Sequence, residues 1–186
     1  MHKLSTWFYR ISGLPLLLIA VLIFIFFMVV VLPEMAGQLG DITGVDVSPD
    51  TSFIYSSADL YEMAEAYGEE GRAYYIYSRF TFDVAWPLAY MLFLVVTISY
   101  LYRDHSTGSG WRLVNLLPLA GGLFDFLENS AASLVMYRYP LETPVVATLA
   151  PVFTFVKWIL IVLSFAALII GLLLKVKIFI KNVRSS

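Results

Sequence analysis

Residues 16–32 read LLLIAVLIFIFFMVVVL and contain no charged or polar side chain. A run of this length is typical of a transmembrane helix, because about 20 apolar residues span the roughly 30 Å hydrocarbon core of a bilayer. Lys3 and Arg10 precede the run, but it is longer than the apolar part of a signal peptide and lacks a clear small-residue cleavage site. We therefore predict an uncleaved membrane span over residues 11–32, ended by Pro33 and Glu34.

The composition of the whole chain agrees with a membrane environment. Of its 186 residues, 60% are hydrophobic and only 14% are charged, which lies outside the range of soluble globular domains. The chain has no cysteine, so it forms neither disulfides nor thiolate metal sites. Two histidines, His2 and His105, do not suggest a metal or haem site within a membrane, and no basic stripe suggests nucleic acid as a partner. We expect no cofactor.

Three further apolar stretches predict three more spans, at residues 80–102, 111–137 and 145–174. The short connections between the last three spans imply antiparallel neighbours. We therefore predict an all-α membrane protein, a single domain built as an antiparallel bundle of four transmembrane helices. Residues 33–78 form its acidic extracytoplasmic loop, which we expect to be partly helical. Ser57 is expected to cap a helix at 58–66, and another is expected to begin near Glu69.

The basic residues predict how the bundle is oriented. With four crossings, one side holds Lys3, Arg10, Arg103, Arg112, Lys175, Lys177, Lys181 and Arg184, and the other holds Arg72, Arg79 and Arg138. Cytoplasmic segments carry the excess of Lys and Arg, so both termini are expected in the cytoplasm of a multi-pass protein of the cell (inner) membrane. Residues 175–186 form a basic tail that is expected to anchor the last span, and membrane lipids are the expected partners.

Several ionisable or polar residues lie within the predicted spans. They are Arg79, Asp83, Tyr90, Asp125, Glu128, Asn129 and Lys157. An ionised side chain at the centre of a bilayer costs about 2.5–3.5 kcal/mol on insertion scales, so each needs a partner or a water-filled cavity. We select these residues as the candidate site for a ligand or for protons. Alternatively, these residues only hold the helices together through interhelical hydrogen bonds and have no further function.

The spacing of these residues predicts three inward faces. At about 100° per residue, polar residues of the second span fall within about 40° of one another, while the third and fourth spans each carry a single face of polar and small residues. These faces are Arg79, Asp83, Tyr90 and Thr97; Gly121, Asp125, Glu128, Asn129 and Ala132; and Ala150, Lys157, Ser164 and Gly171. The first span has no such face, so we predict that it lies at the periphery.

Depth along the helices predicts the pairing of the charges. Asp125 and Lys157 both lie roughly 18 Å from the outer ends of their spans, so we expect a buried ion pair between them. Arg79, at the outer mouth of the bundle, is expected to pair with Asp83 four residues later. Glu128 then has no obvious cation, and we expect it to be neutral or to share a proton with a neighbouring acid.

The pattern of Asp83, Pro87 and Tyr90, followed by Phe124, Asp125, Glu128 and Asn129, resembles uncharacterised small four-helix bacterial integral membrane proteins. The resemblance covers the last three spans and implies no activity. The adjacent Glu128 and Asn129 are also similar to a pair in the glutathione-using MAPEG enzymes, but the arginine which that family places upstream is missing from residues 118–124. The four-helix sterol isomerase and sigma-2 receptor group is similar in architecture alone.

Three functions remain open from the sequence. The first is binding or transport of a small cationic or amphipathic ligand, a lipid or protons, in a site that opens outward. Transport would require the protein to act as a homo-oligomer. The second is an intramembrane enzyme that uses Asp125 and Glu128 for acid–base chemistry on a lipid-like substrate. The third is an accessory subunit of a membrane complex, whose polar face docks on a partner.

Overall fold

The computed structural model describes residues 1–44, 48–49, 52–103 and 110–184, and every regular element within these ranges is a helix. The α-helices are α1 (His2–Ile11), α2 (Leu14–Phe26), α3 (Leu32–Thr43), α4 (Ser57–Ala66), α5 (Gly68–Phe80), α6 (Phe82–Tyr102), α7 (Leu117–Arg138) and α8 (Pro144–Arg184). A π-helical turn, Phe27–Val31, joins α2 to α3, and a 3-10 helix, Gly110–Leu116, precedes α7. The all-helical prediction is confirmed.

Three stretches of helix are long and apolar enough to cross a membrane. They are Leu14–Thr43, Gly68–Tyr102 and Pro144–Lys177. They contain the second and fourth predicted spans and all but three residues of the first. Helix α7, which contains most of the third predicted span, has 22 residues but does not belong to this group because Asp125, Glu128 and Asn129 make it less apolar. Most of the predicted connection at 103–110 lies outside the described residues.

The first long helix does not end at Pro33 as predicted. It passes through a π-helical turn at Phe27–Val31 and continues as α3 to Thr43. A proline inside a helix removes one hydrogen bond and crowds the carbonyl four residues earlier. The wider π turn directly before Pro33 relieves that crowding, so the helix continues. Gly44, with a left-handed φ of 66°, then ends it.

Helix α4 begins one residue earlier than predicted, because its cap is Ser56 and not Ser57. The Ser56 side chain accepts a hydrogen bond from the Asp59 backbone N–H, and the Asp59 carboxylate accepts one from the Ser56 backbone N–H. This reciprocal pair is a capping box. The second predicted helix is confirmed as α5, which begins at Gly68 and is separated from α6 by Thr81 alone.

The long helices differ greatly in how much of their surface is covered by the rest of the chain. In the most apolar part of Gly68–Tyr102, 61% of the residues are buried, against 6% in that of Leu14–Thr43. The second span is therefore central. The first is peripheral, as predicted. Close packing of α6 depends on small residues: a Cβ atom added to Gly171 would lie 2.7 Å from the ring of Tyr102. Helices α7 and α8 are joined by a short turn and pack side by side.

Candidate functional site

The three faces predicted from helical spacing are all buried. Along α5 and α6 these residues are Arg79, Asp83, Tyr90 and Thr97; along α7 they are Gly121, Asp125, Glu128, Asn129 and Ala132; along α8 they are Ala150, Lys157, Ser164 and Gly171. The helices therefore turn their ionisable side chains towards one another. We call Arg79, Asp83, Asp125, Glu128 and Lys157 the charge cluster.

Lys157 is the centre of the charge cluster. Its Nζ atom lies 3.7 Å from the Oδ1 atom of Asp125 and contacts the carboxylate of Glu128 more closely. The predicted pair with Asp125 is confirmed. The expectation that Glu128 lacks a cation is wrong, because the flexible lysine side chain reaches across the turn of α7 that separates the two acids. Glu128 itself is fully buried.

Asp125 has a second partner on α6. The Tyr90 hydroxyl donates a hydrogen bond of 2.8 Å to its Oδ2 atom. The two carboxylates on Lys157 consequently have different surroundings: Asp125 is held by a lysine and a tyrosine beside a cavity, whereas the Glu128 side chain lies deeper in the helix packing and does not line that cavity.

Arg79 and Asp83 form the second ion pair of the charge cluster, with the predicted spacing of four residues. The Arg79 guanidinium also lies 4.4 Å from the ring centroid of Tyr75, and it donates to the Ser48 hydroxyl at 3.5 Å. Arg79 was predicted at an open outer mouth, but only 6% of it is exposed. The difference arises because residues of the outer loop fold over it.

The covering part of the outer loop lies against α8. The ring of Phe53 is 5.9 Å from that of Phe155 and 6.3 Å from that of Trp158, and the Tyr55 hydroxyl lies 3.0 Å from the Thr154 hydroxyl. These contacts attach the outer loop to the helix that carries Lys157. Loop contacts between such distant residues have no periodic signal in the sequence.

A cavity of about 380 Å³ borders the charge cluster. Its polar lining comes from Arg79, Asp83, Tyr90, Asp125 and Lys157, and its apolar lining from Phe24, Met28, Leu32, Trp86, Trp158, Ile161 and Phe165. The cavity therefore has a mostly apolar lining with a few polar and charged groups, which is the composition typical of a small-molecule site.

The first long helix and α8 both contribute apolar lining to the cavity. Helix α2 packs against α6 more than against α8, so the apolar walls on these two helices are separated. Met28 on one wall is 46% exposed and Phe165 on the other is 36% exposed. The peripheral first helix thus supplies a wall of the cavity, which its uniformly apolar sequence did not indicate.

Asn129 belongs to the buried face of α7 but does not line the cavity. Its amide nitrogen and oxygen have no hydrogen-bond partner among the described residues, and the same is true of the Ser133 hydroxyl one turn later. The spacing of these residues predicted their face correctly but did not separate those beside the cavity from those packed between helices.

A second buried polar group, which we call the neutral network, joins the N-terminal helix to the rest of the chain. The Ser5 hydroxyl has two acceptors within reach of its single proton, the Asn115 Oδ1 atom at 2.8 Å and the Arg112 carbonyl oxygen at 2.7 Å. The Asn115 amide donates to the Ser99 hydroxyl at 2.9 Å. The Tyr9 hydroxyl donates to the same Arg112 carbonyl at 3.0 Å. Burial raises the pKa of Tyr9 to about 12, so this donor keeps its proton at neutral pH. None of its members was among the site residues predicted from the sequence.

The charge cluster contains three acids and two bases, so it has one negative charge in excess when every member is ionised. Among the described residues, no group of three acidic or histidine side chains is placed to hold a metal ion. Comparison with known proteins found no matching family model, no matching curated protein and no matching solved structure. The chemistry of the site is therefore the only available basis for a function.

Proposed function

We propose that this protein crosses the membrane four times and binds an amphipathic cation in the cavity beside Asp125. The observation that carries the proposal is the pairing within the charge cluster: Lys157 contacts Glu128 more closely than Asp125, while Asp125 borders the cavity. An additional cation at this carboxylate would balance the cluster, which contains one more acid than bases. The apolar walls would then contact the tail of the same molecule.

The fourth crossing rests on the outer surface of α7. Its acidic residues, Asp125 and Glu128, are buried in the bundle, while Leu123, Leu127 and Leu134 remain exposed. A helix of 22 residues is about 33 Å long, enough for the hydrocarbon core. The distribution of Lys and Arg then favours a cytoplasmic location for both termini in the cell membrane.

The ligand is expected to enter from the lipid and not from water. Outer-loop residue Ser48 contacts the buried Arg79, whereas Met28 and Phe165, which line the cavity, are partly exposed. We infer that the gap through which a ligand enters lies between these two apolar residues. A molecule with an alkyl tail and a cationic head would keep its tail in an apolar environment throughout this path. Membrane lipids are the natural competitors for the same gap.

Burial of the charge cluster within one chain disfavours the accessory-subunit alternative, which requires a polar face open to a partner. The intramembrane acid–base enzyme is supported by the unequal surroundings of Asp125 and Glu128. It lacks support from any nucleophile or nucleotide motif in the sequence. Ligand binding requires the fewest additional assumptions, and transport would add oligomerisation, since four helices are few for alternating access.

Tryptophan quenching tests the proposal, because Trp86 and Trp158 both line the cavity. We would replace Trp7 and Trp111 by Phe, place the protein in lipid nanodiscs and add a brominated C12 alkyl trimethylammonium. Saturable quenching of Trp86 and Trp158 is expected at a low mole fraction of this cationic probe in the lipid. A brominated C12 alkyl sulfate and a brominated C12 alkyl glucoside serve as probes of opposite and no charge.

Asp125→Asn should weaken binding of the cationic probe at least about tenfold, which corresponds to about 1.4 kcal/mol. Tyr90→Phe keeps the carboxylate and should have a smaller effect. Asp41→Asn, which makes the same chemical change at an exposed position on α3, should have none. Equal quenching by all three probes would contradict selection of a cation.

A further inference from the structure

The N-terminal helix α1 has one face attached to the protein. Ser5 and Tyr9 are buried on this face and both donate hydrogen bonds to the carbonyl of Arg112. The guanidinium of Arg112 also lies 4.5 Å from the ring centroid of Tyr9. Because these contacts fix the rotation of α1, its opposite face must point away from the helix packing.

The opposite face combines an apolar stripe with a basic edge. At about 100° per residue, Leu4, Trp7 and Ile11 fall within about 60° of one another, and Lys3 and Arg10 fall within about 20° of each other directly beside Trp7. All five side chains are exposed. An exposed apolar stripe bordered by cations is the pattern of a helix that lies in the interface of a membrane.

The position of α1 agrees with this location. Only Ser12 and Gly13 separate α1 from Leu14, where the first membrane-capable helix begins. The first 33 residues contain no Asp or Glu, so no acid of this segment competes for the basic edge. A shallow hollow of about 400 Å³ along α1 is lined by His2, Lys3, Thr6, Trp7 and Arg10.

We propose that this face of α1 binds the headgroup of an anionic phospholipid. Lys3 and Arg10 would contact the phosphate, and Leu4, Trp7 and Ile11 would contact the glycerol and the upper part of the acyl chains. The apolar stripe favours a lipid over a soluble anion, because a phosphate ion in water would leave that stripe exposed. This site is separate from the cavity and does not depend on its ligand.

Trp7 provides a local readout for the site. We would prepare the full chain with Trp86, Trp111 and Trp158 replaced by Phe, reconstitute it in phosphatidylcholine nanodiscs, and add brominated phosphatidylglycerol or brominated phosphatidylcholine. The expected result is that the anionic lipid quenches Trp7 at a lower mole fraction than the neutral lipid. Removing one basic residue should reduce this preference about five-fold, from about 1 kcal/mol for each Lys or Arg near a membrane surface.

The matched variants are Lys3→Gln with Arg10→Gln, which should lose the preference, and Lys177→Gln with Lys181→Gln, which removes the same charge from α8 and should retain it. Equal quenching by the two lipids would overturn the proposal, as would a preference that survives Lys3→Gln with Arg10→Gln. Loss of the preference in inorganic phosphate, but not in sodium chloride of the same ionic strength, would also overturn it, because it would indicate a soluble-anion site.

Discussion

The charge cluster and the neutral network are both buried and polar, yet they are built differently. The neutral network uses uncharged groups of Ser5, Ser99 and Asn115 whose hydrogen bonds are made mostly to one another. The charge cluster uses ionised groups, has one negative charge in excess and borders a cavity of about 380 Å³. One small chain thus buries two polar clusters, one in which neutral groups bond to each other and one in which ionised groups border a cavity.

This difference indicates which of the two is expected to be functional. Hydrogen bonds between neutral side chains connect helices at little desolvation cost, so the neutral network is sufficient as an attachment for α1. Buried charges cost several kcal/mol unless they are paired, and structural attachment alone does not require them. We therefore assign attachment to the neutral network and ligand binding to the charge cluster.

Replacing the central cation should have the largest effect. Lys157→Met leaves Asp125 and Glu128 without their shared lysine, and the loss of one partner from a buried ion pair typically destabilises a protein by about 3–5 kcal/mol. Thermal or denaturant unfolding in detergent would measure the change. Lys177→Met, an exposed position on the same helix, should change stability by no more than about 0.5 kcal/mol.

A double variant separates the two acids. If Glu128 is the principal partner of Lys157, Lys157→Met combined with Glu128→Gln should recover a substantial part of the lost stability, because the deepest unpaired charge is removed. Unchanged stability of the single Lys157→Met variant would show that the buried ion pair does not stabilise the fold. The contrast drawn between the charge cluster and the neutral network would then be wrong.

Removing the centre of the neutral network should have an intermediate effect. Asn115→Ala takes away the amide that donates to the buried Ser99 hydroxyl, while the Ser5 hydroxyl keeps the Arg112 carbonyl as its acceptor. An unsatisfied buried group costs about 1–3 kcal/mol. We expect lower stability with unchanged binding of the cationic probe. Ser130→Ala, at an exposed hydroxyl, is the control. If Asn115→Ala bound the cationic probe more weakly under conditions where the variant is fully folded, the result would argue against separate roles for the neutral network and the charge cluster.

The inward faces could be predicted from the sequence, because a charge within an apolar helix marks the side that avoids lipid. That rule placed Asp83, Asp125 and Lys157 correctly. It did not determine which acid Lys157 contacts more closely, since a lysine side chain spans more than one helical turn and the relative rotation of α7 and α8 depends on packing. The contact of Ser48 with Arg79 was also missed, because an irregular loop contact has no periodic signal in the sequence.

Continuation of the first helix beyond Pro33 had no signal, since a π turn depends on how the backbone adjusts before the proline. The cap of α4 did have one: Asp59 lies three residues after Ser56, which is the spacing of a capping box, whereas Ser57 has no such partner. Asn115 and Ser99 were overlooked because they are uncharged and lie near the ends of their helices.

The smallest effect is expected for an acid outside both clusters. Hydrogen bonds from the backbone and side chain of Ser56 lower the pKa of Asp59 from its ordinary value. A carboxylate with a lowered pKa stabilises the folded state above its unfolded pKa, and this contribution is lost as the pH falls through the lower, folded value. Asp59→Asn should therefore weaken the start of α4 at pH 7.

The difference between the natural chain and Asp59→Asn should begin to shrink near the ordinary Asp pKa of about 4. It should disappear only below the lower, folded pKa, where the natural carboxyl is also neutral. Hydrogen exchange of the α4 amides, corrected for the intrinsic rate at each pH, measures this directly. Glu62→Gln removes the same charge from the same helix outside the cap and should leave exchange unchanged. If the two variants changed exchange equally, the cause would be the net charge of the loop and not the hydrogen bonds of Asp59 in the cap. If Asp59→Asn alone responds, a single carboxylate on the surface acts only on its own helix, whereas the buried carboxylates of the charge cluster affect the whole bundle.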